Sequence, residues 1–146
     1  MTRIEAFEPR AGYDDVLALV KANKDEAESH IPREVMIDLE AYEYLYQAGM
    51  LVLLGAYDGE RMVGYAIASL SPSLHYGVVT AHHMTLYLAP SHRTPRTSLR
   101  MVEALAHACK DKGAVMMTWS AKPGSAFARL VARMARLEDF VFTQEL

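Results

Sequence analysis

The sequence predicts an α/β (α+β) domain in which helices cover both faces of a mixed β-sheet. Three observations carry this. Apolar residues recur at helical spacing in four stretches, and in strand-like alternation or short unbroken runs in six others. Asp58-Gly59, set between two apolar runs, is a strong hairpin signal. The strand–helix–strand order over residues 78–120 needs a crossover, and hence a parallel pair inside a sheet otherwise joined by hairpins. At 146 residues the chain fits one domain spanning 1–146.

Composition sets the outer limits. Hydrophobic residues make up 51% and charged residues 23%, a globular balance that excludes disorder and fibrous repeats. The longest apolar run, Met50 to Tyr57, is far short of the roughly 20 residues that span a bilayer. Charges crowd the first eight positions, where a signal peptide would be apolar, so neither secretion nor a membrane partner is expected. Cys109 is the only cysteine, which excludes an internal disulfide and suits a reducing cytoplasm.

The elements follow in order. Thr2 to Phe7 reads as a short strand ended by Pro9 and Gly12. Val16, Leu17, Leu19 and Val20 mark a helix over 13–22, with Asp14 and Asp15 favourable in its first turn. Residues 23–31 are polar and read as a loop. Pro32 suits the start of a second helix, in which Val35, Leu39, Tyr42 and Tyr46 share a face before Gly49 stops it. Leu51–Tyr57 and Met62–Leu70 are the hairpin strands, and Val78–Leu88 is the next, ended by Pro90. Residues 91–96 read as a loop, with Thr97 or Ser98 capping a helix whose apolar face holds Leu99, Val102, Leu105, Ala106 and Cys109. Ala114–Ser120 reads as a central strand by its apolar content. Phe127, Leu130, Val131 and Met134 mark a last helix, and Phe140–Leu146 reads as a terminal strand.

Charge is uneven. Residues 1–60 hold 13 acidic and 5 basic side chains, a net −8, whereas residues 61–146 hold 5 acidic and 10 basic ones, a net +5. The second half is thus suited to an anion and the first to a cation, although a solvated surface with unevenly placed charges accounts for the same numbers. The overall −3 argues against nucleic acid as a partner.

The element order, the hairpin at 53–68 and the segment Leu86-Tyr87-Leu88-Ala89-Pro90-Ser91-His92-Arg93 resemble the GCN5-related N-acetyltransferase family, including its small phage-encoded members; Gly113 before the strand at 114 matches as well. The resemblance covers nearly the whole chain. It implies a sheet splayed at its centre, acetyl-CoA wedged into the splay as co-substrate, and transfer of the acetyl group to an amine. Dimers are common in the family, so a homodimer is one expectation, and a phage-encoded member would work in the host cytoplasm. The family's phosphate loop, Gln/Arg-x-x-Gly-x-Gly/Ala, reads here Arg93-Thr94-Pro95-Arg96-Thr97-Ser98. Both glycines are replaced, and Pro95 lacks an N–H donor.

On this resemblance the cofactor residues are Leu86, Tyr87 and Leu88 on the strand, Arg93, Thr94, Arg96, Thr97 and Ser98 at the loop, and Ser125 and Arg129 on the last helix. The residues themselves fit an anion. A turn rich in arginine and hydroxyls that opens a helix offers free N–H groups and charge-assisted bonds, although a capped helix with surface arginines has the same composition. Lys122, Arg129, Arg133 and Arg136 form a second basic stripe at helical spacing, which a solvated face explains equally well. His82 falls where many family members carry a glutamate base, and an imidazole suits that role near neutral pH; alternation lets only one of His82 and His83 face a given side. Successive strand residues diverge and no carboxylate completes a set with His75, so no metal is expected. The family's tyrosine acid corresponds to Ala132, and no tyrosine follows Tyr87. Two functions stay open. One is an acetyl-CoA-dependent N-acetyltransferase acting on a small-molecule or protein amine. The other is an inactive binding or virion-structural protein on the same fold. A transferase acting on a nucleic-acid base ranks below both.

Overall fold

A computed structural model describes residues 1–139 and 141–146. The elements are β1 (Arg3–Ala6), α1 (Tyr13–Ala27), α2 (Leu39–Gln47), β2 (Leu51–Asp58), β3 (Arg61–Pro72), β4 (Val79–Leu88), a short 3-10 turn (Pro90–His92), α3 (Pro95–Asp111), β5 (Ala114–Thr118) and α4 (Ala126–Val131). The strands form one sheet in the order β1-β2-β3-β4-β5. The first three pairings are antiparallel, and β4–β5, joined through α3, is parallel. This is the mixed sheet that the crossover demanded.

β2 and β3 are apolar through their middles, Leu51–Ala56 and Met62–Ala68, because both faces are covered there. On one face Val52, Leu54 and Ala66 pack with Met101, Leu105 and Cys109 of α3. On the other, Leu51, Leu53, Tyr65 and Ile67 pack against Val16 of α1, with Tyr42 and Tyr46 of α2 half-buried beside them. Tyr44 points to solvent, as its helical phase required. Burial raises the Cys109 thiol to about 11, as befits a packing residue and not a nucleophile. Among the described residues no helix is long and apolar enough to cross a membrane.

Several boundaries differ from the sequence reading. Helix α1 runs through Ala27, since Lys24, Asp25, Glu26 and Ala27 continue a helix without any breaker. Helix α2 begins at Leu39, not at Pro32. The Asp38 carboxylate accepts from Ala41 N at 3.0 Å and caps the helix there. Helix α3 begins three or four residues earlier than a Thr97 or Ser98 cap implied, because Thr94 takes the cap with Pro95 as first helical residue. The hairpin turn is Gly59-Glu60, with Gly59 at φ +60° and Asp58 paired to Arg61.

Strand β5 is an edge, not a central strand: among the described residues it pairs with β4 alone, and Val115 and Met116 are exposed. Apolar content overstated its burial. Residues 141–146 carry no strand, and Phe140 lies outside the described residues. The last helix stops at Val131, its only buried residue, because little of its apolar face meets the core. The proposed basic stripe therefore does not exist as one helical face. Of its members only Arg129 lies within α4.

Candidate active site at the β4–β5 fork

Pairing between β4 and β5 covers Val79↔Ala114 to His82↔Thr118 and then stops. Beyond His82 the outer edge of β4 has no strand beside it among the described residues, so its backbone groups form an unpaired edge. This is the splay that the resemblance implied, and it opens at His82.

A bulge sits at the same place. Thr85 lies opposite Ile67 and His83 opposite Ala68, so Met84 is an extra residue on β4. The bulge reverses the side-chain phase. Ala81 faces the α3 layer before it, whereas Leu86 and Leu88 face that layer after it, and Tyr87 joins the α1/α2 layer. Of the two histidines, His82 is exposed and His83 is buried.

The His82 ring is held between two hydroxyls. Its Nδ1 lies 2.7 Å from Thr118 Oγ1 and its Nε2 3.4 Å from Thr80 Oγ1. Thr80 can donate its hydroxyl proton to the Ser71 carbonyl at 3.3 Å. In the tautomer that donates from Nδ1 to Thr118, Nε2 keeps its lone pair on the Thr80 side of an exposed ring, where the long 3.4 Å contact leaves it able to accept a proton.

The predicted phosphate residues follow at the end of β4, but much of their capacity is spent internally. Arg93 grips Glu26 of α1 through both terminal nitrogens, at 2.6 and 3.0 Å. It also donates to the Leu88 carbonyl at 3.1 and 2.8 Å, and its guanidinium lies 5.5 Å from the Tyr87 ring centroid. The hydrogen bond from Arg93 holds the Glu26 carboxyl below its usual range. The Thr94 hydroxyl accepts from Thr97 N at 3.1 Å, and the Thr94 carbonyl accepts from Ser98 N at 2.9 Å. Pro95 has no N–H, so among the described residues Arg96 N is the donor left without a partner in the first turn of α3. Arg96 is exposed, and Thr97 and Ser98 are half-buried.

At the other arm of the fork, Ser125 caps α4 by accepting from Ala128 N at 3.0 Å, and Arg129 donates to the Gly124 carbonyl at 2.8 Å. Lys122 donates to the Ala27 carbonyl. The C-terminal end of α1 thus touches both arms, Arg93 after β4 and Lys122 after β5. Sequence reasoning read Glu26 only as one of several acidic residues; its pairing with a residue 67 positions away had no local signal. It also missed the cluster beneath the fork, where His83, Trp119 and Phe127 meet.

No protein-family model matches the chain, and no curated protein sequence matches it. Solved structures do. An aminoglycoside acetyltransferase from an uncultured soil metagenomic sample, in complex with sisomicin, is similar with a TM-score of 0.78 at 14% identity, over 99% of this chain and 96% of that one. AAC(6')-Iy, in complex with the bisubstrate analog CoA-S-monomethyl-acetylneamine, gives 0.75 at 17% identity over 100% and 99%. A transcriptional regulator from Bacillus halodurans gives 0.80 at 13% identity over the full length of both chains. At these identities the likeness establishes the fold. The chain has the fold of the N-acetyltransferases.

Proposed function

We propose that the protein is an acyltransferase that moves an acetyl group from acetyl-CoA to an amine by direct attack. One observation carries this reading: β4 and β5 part at the His82–Thr118 pair, and the exposed imidazole of His82, held through Nδ1 by Thr118, stands at the parting. The acetyl-CoA chain would lie along the free edge at Leu86, Tyr87 and Leu88. Its phosphates would meet Arg96 N–H and the side chains of Arg93, Thr94, Arg96, Thr97 and Ser98, with Ser125 and Arg129 on the opposite arm. His82 accepts the proton of the attacking amine, a C–N bond forms at the acyl carbon, and the C–S bond breaks. With Ala132 in place of a tyrosine, the departing thiolate takes its proton from solvent. The net −8 of residues 1–60 favours a cationic acceptor, a polyamine or a lysine-bearing protein. A cytoplasmic location belongs to the same reading.

A second reading, a binding protein on this fold without turnover, is favoured by the capped first turn of α3 and by the Arg93–Glu26 pair, which together occupy most of the anion donors. Calorimetric titration with acetyl-CoA separates the two. Binding, followed by thiol release when a polyamine is added, supports the transferase. No heat at millimolar acetyl-CoA overturns it in favour of the second reading.

A further inference from the structure

His83 and Trp119 are the first residues past the last pair on each arm of the fork. Their rings meet at 5.3 Å between centroids, and Phe127 of α4 leans on both, at 5.1 Å from His83 and 6.3 Å from Trp119. The three rings fill the inner corner of the fork on the α3 side. His83 is 8% exposed, yet neither of its ring nitrogens has a hydrogen-bond partner among the described residues. Buried polar groups are nearly always satisfied, and an orphan calls for an explanation. A histidine kept only for packing would be served equally well by phenylalanine.

We propose that His83 is a ligand-contacting residue of the fork, whose imidazole N–H donates to a carbonyl oxygen of the acyl-CoA chain lying along the free edge of β4. The assignment rests on the acetyl-CoA reading above and gives it a polar contact that no sequence motif supplied. Burial keeps the ring neutral, with its protonation lowered to about 4, so it enters the site as a donor of one N–H and not as a cation. The backbone of Ser120 pulls the ring toward protonation but does not complete a hydrogen bond. Access requires a movement of Phe127 or Trp119. Helix α4 has only six residues, and Trp119 is only half-buried. Carbonyl groups occur both in the pantetheine amides and in the acyl thioester, and the two sources are separable.

The test uses histidine-labelled protein and NMR of the imidazole nitrogens, with CoA and acetyl-CoA as probes; the His83 signals are those lost in His83→Phe. The expected result is a shift of those signals at saturation. A shift with both probes places the contact on a pantetheine amide, and a shift with acetyl-CoA alone places it on the acyl carbonyl. His83→Phe, which keeps the ring packing, should bind the responsive probe about tenfold more weakly, and His83→Asn should recover part of the loss. If calorimetry shows both probes binding while the His83 signals stay fixed and His83→Phe binds like the wild type, His83 is a packing residue and the inference fails while the transferase reading stands. If the wild type binds neither probe, the transferase reading fails and takes this assignment with it.

Discussion

Arg93 and Glu26 form a two-pronged ion pair that ties the end of β4 to the end of α1. A residue expected to hold phosphate is therefore already holding a carboxylate. The pair is partly exposed, so its own stabilisation is small, about 1 kcal/mol or less. Its larger effect is competition with an anionic ligand. Glu26→Gln should tighten acetyl-CoA binding several-fold at low salt, and Arg96→Ala should weaken binding more than Arg93→Ala. Calorimetry at two salt concentrations reads both; a weaker Glu26→Gln protein would show that the pair builds the site and does not block it.

His82 should carry turnover and not affinity. His82→Gln keeps hydrogen-bonding capacity but cannot accept the amine's proton, so kcat should fall about 10²–10⁴-fold with acetyl-CoA affinity unchanged. Thr118→Val removes the partner of Nδ1 and should cost roughly tenfold by loosening the ring. Wild-type turnover in His82→Gln would leave deprotonation to solvent.

Acid should destabilise the fold through His83. Burial lowers its protonation from 6.5 to about 4, so the unfolded chain takes up a proton between those values that the folded chain refuses. Stability is complete above pH 6.5, falls by roughly 3 kcal/mol as pH drops to 4, and levels below that. The depressed carboxyls of Glu26 and Asp58, paired with Arg93 and His92, lose their contribution only at lower pH. Urea denaturation from pH 7 to 4 should show a flatter profile for His83→Phe; an unchanged slope would assign the effect to other groups.

Gly64 lies flat against the far end of β4. A Cβ there would sit 2.5 Å from Leu88 Cδ2 and 2.7 Å from the Tyr87 carbonyl. The carbonyl is backbone and cannot turn aside, so Gly64→Ala should cost about 1–3 kcal/mol. It should also weaken acetyl-CoA binding, because Leu88 anchors Arg93 through its carbonyl. Chemical denaturation measures the first effect and calorimetry the second.

The hairpin, the crossover and the amphipathic α3 were legible in the sequence because each rests on local chemistry: a glycine turn, a change of period, an apolar stripe. The Pro90 and Arg93 spacing pointed to a splay near Leu86 to Leu88, whereas pairing already ends at His82, because the length of the β5 ladder is not written in β4. The bulge at Met84 was not legible, since nothing in the run Ala81–Leu88 marks which residue is extra. Nor was the capture of Arg93 by Glu26, or the edge position of β5, because pairing partners distant along the chain leave no trace in periodicity. The Thr94 cap was hidden by Thr97 and Ser98, which offer the same chemistry within four positions.

The sheet is laid out in space in the order in which it is written in the chain. Its middle, β2 to β4, consists of neighbours joined by short turns, and β5 is added only after a helical crossover, over four register positions. The fork is therefore bounded by an edge strand whose ladder, like that of β1, covers only four positions, and local opening of that strand should cost far less than opening the middle of the sheet. Amide hydrogens of Met116 to Thr118 should exchange with solvent well before those of Leu53 or Ala66. If all exchange together, β5 opens only when the whole domain unfolds, and a ligand must enter a rigid cleft.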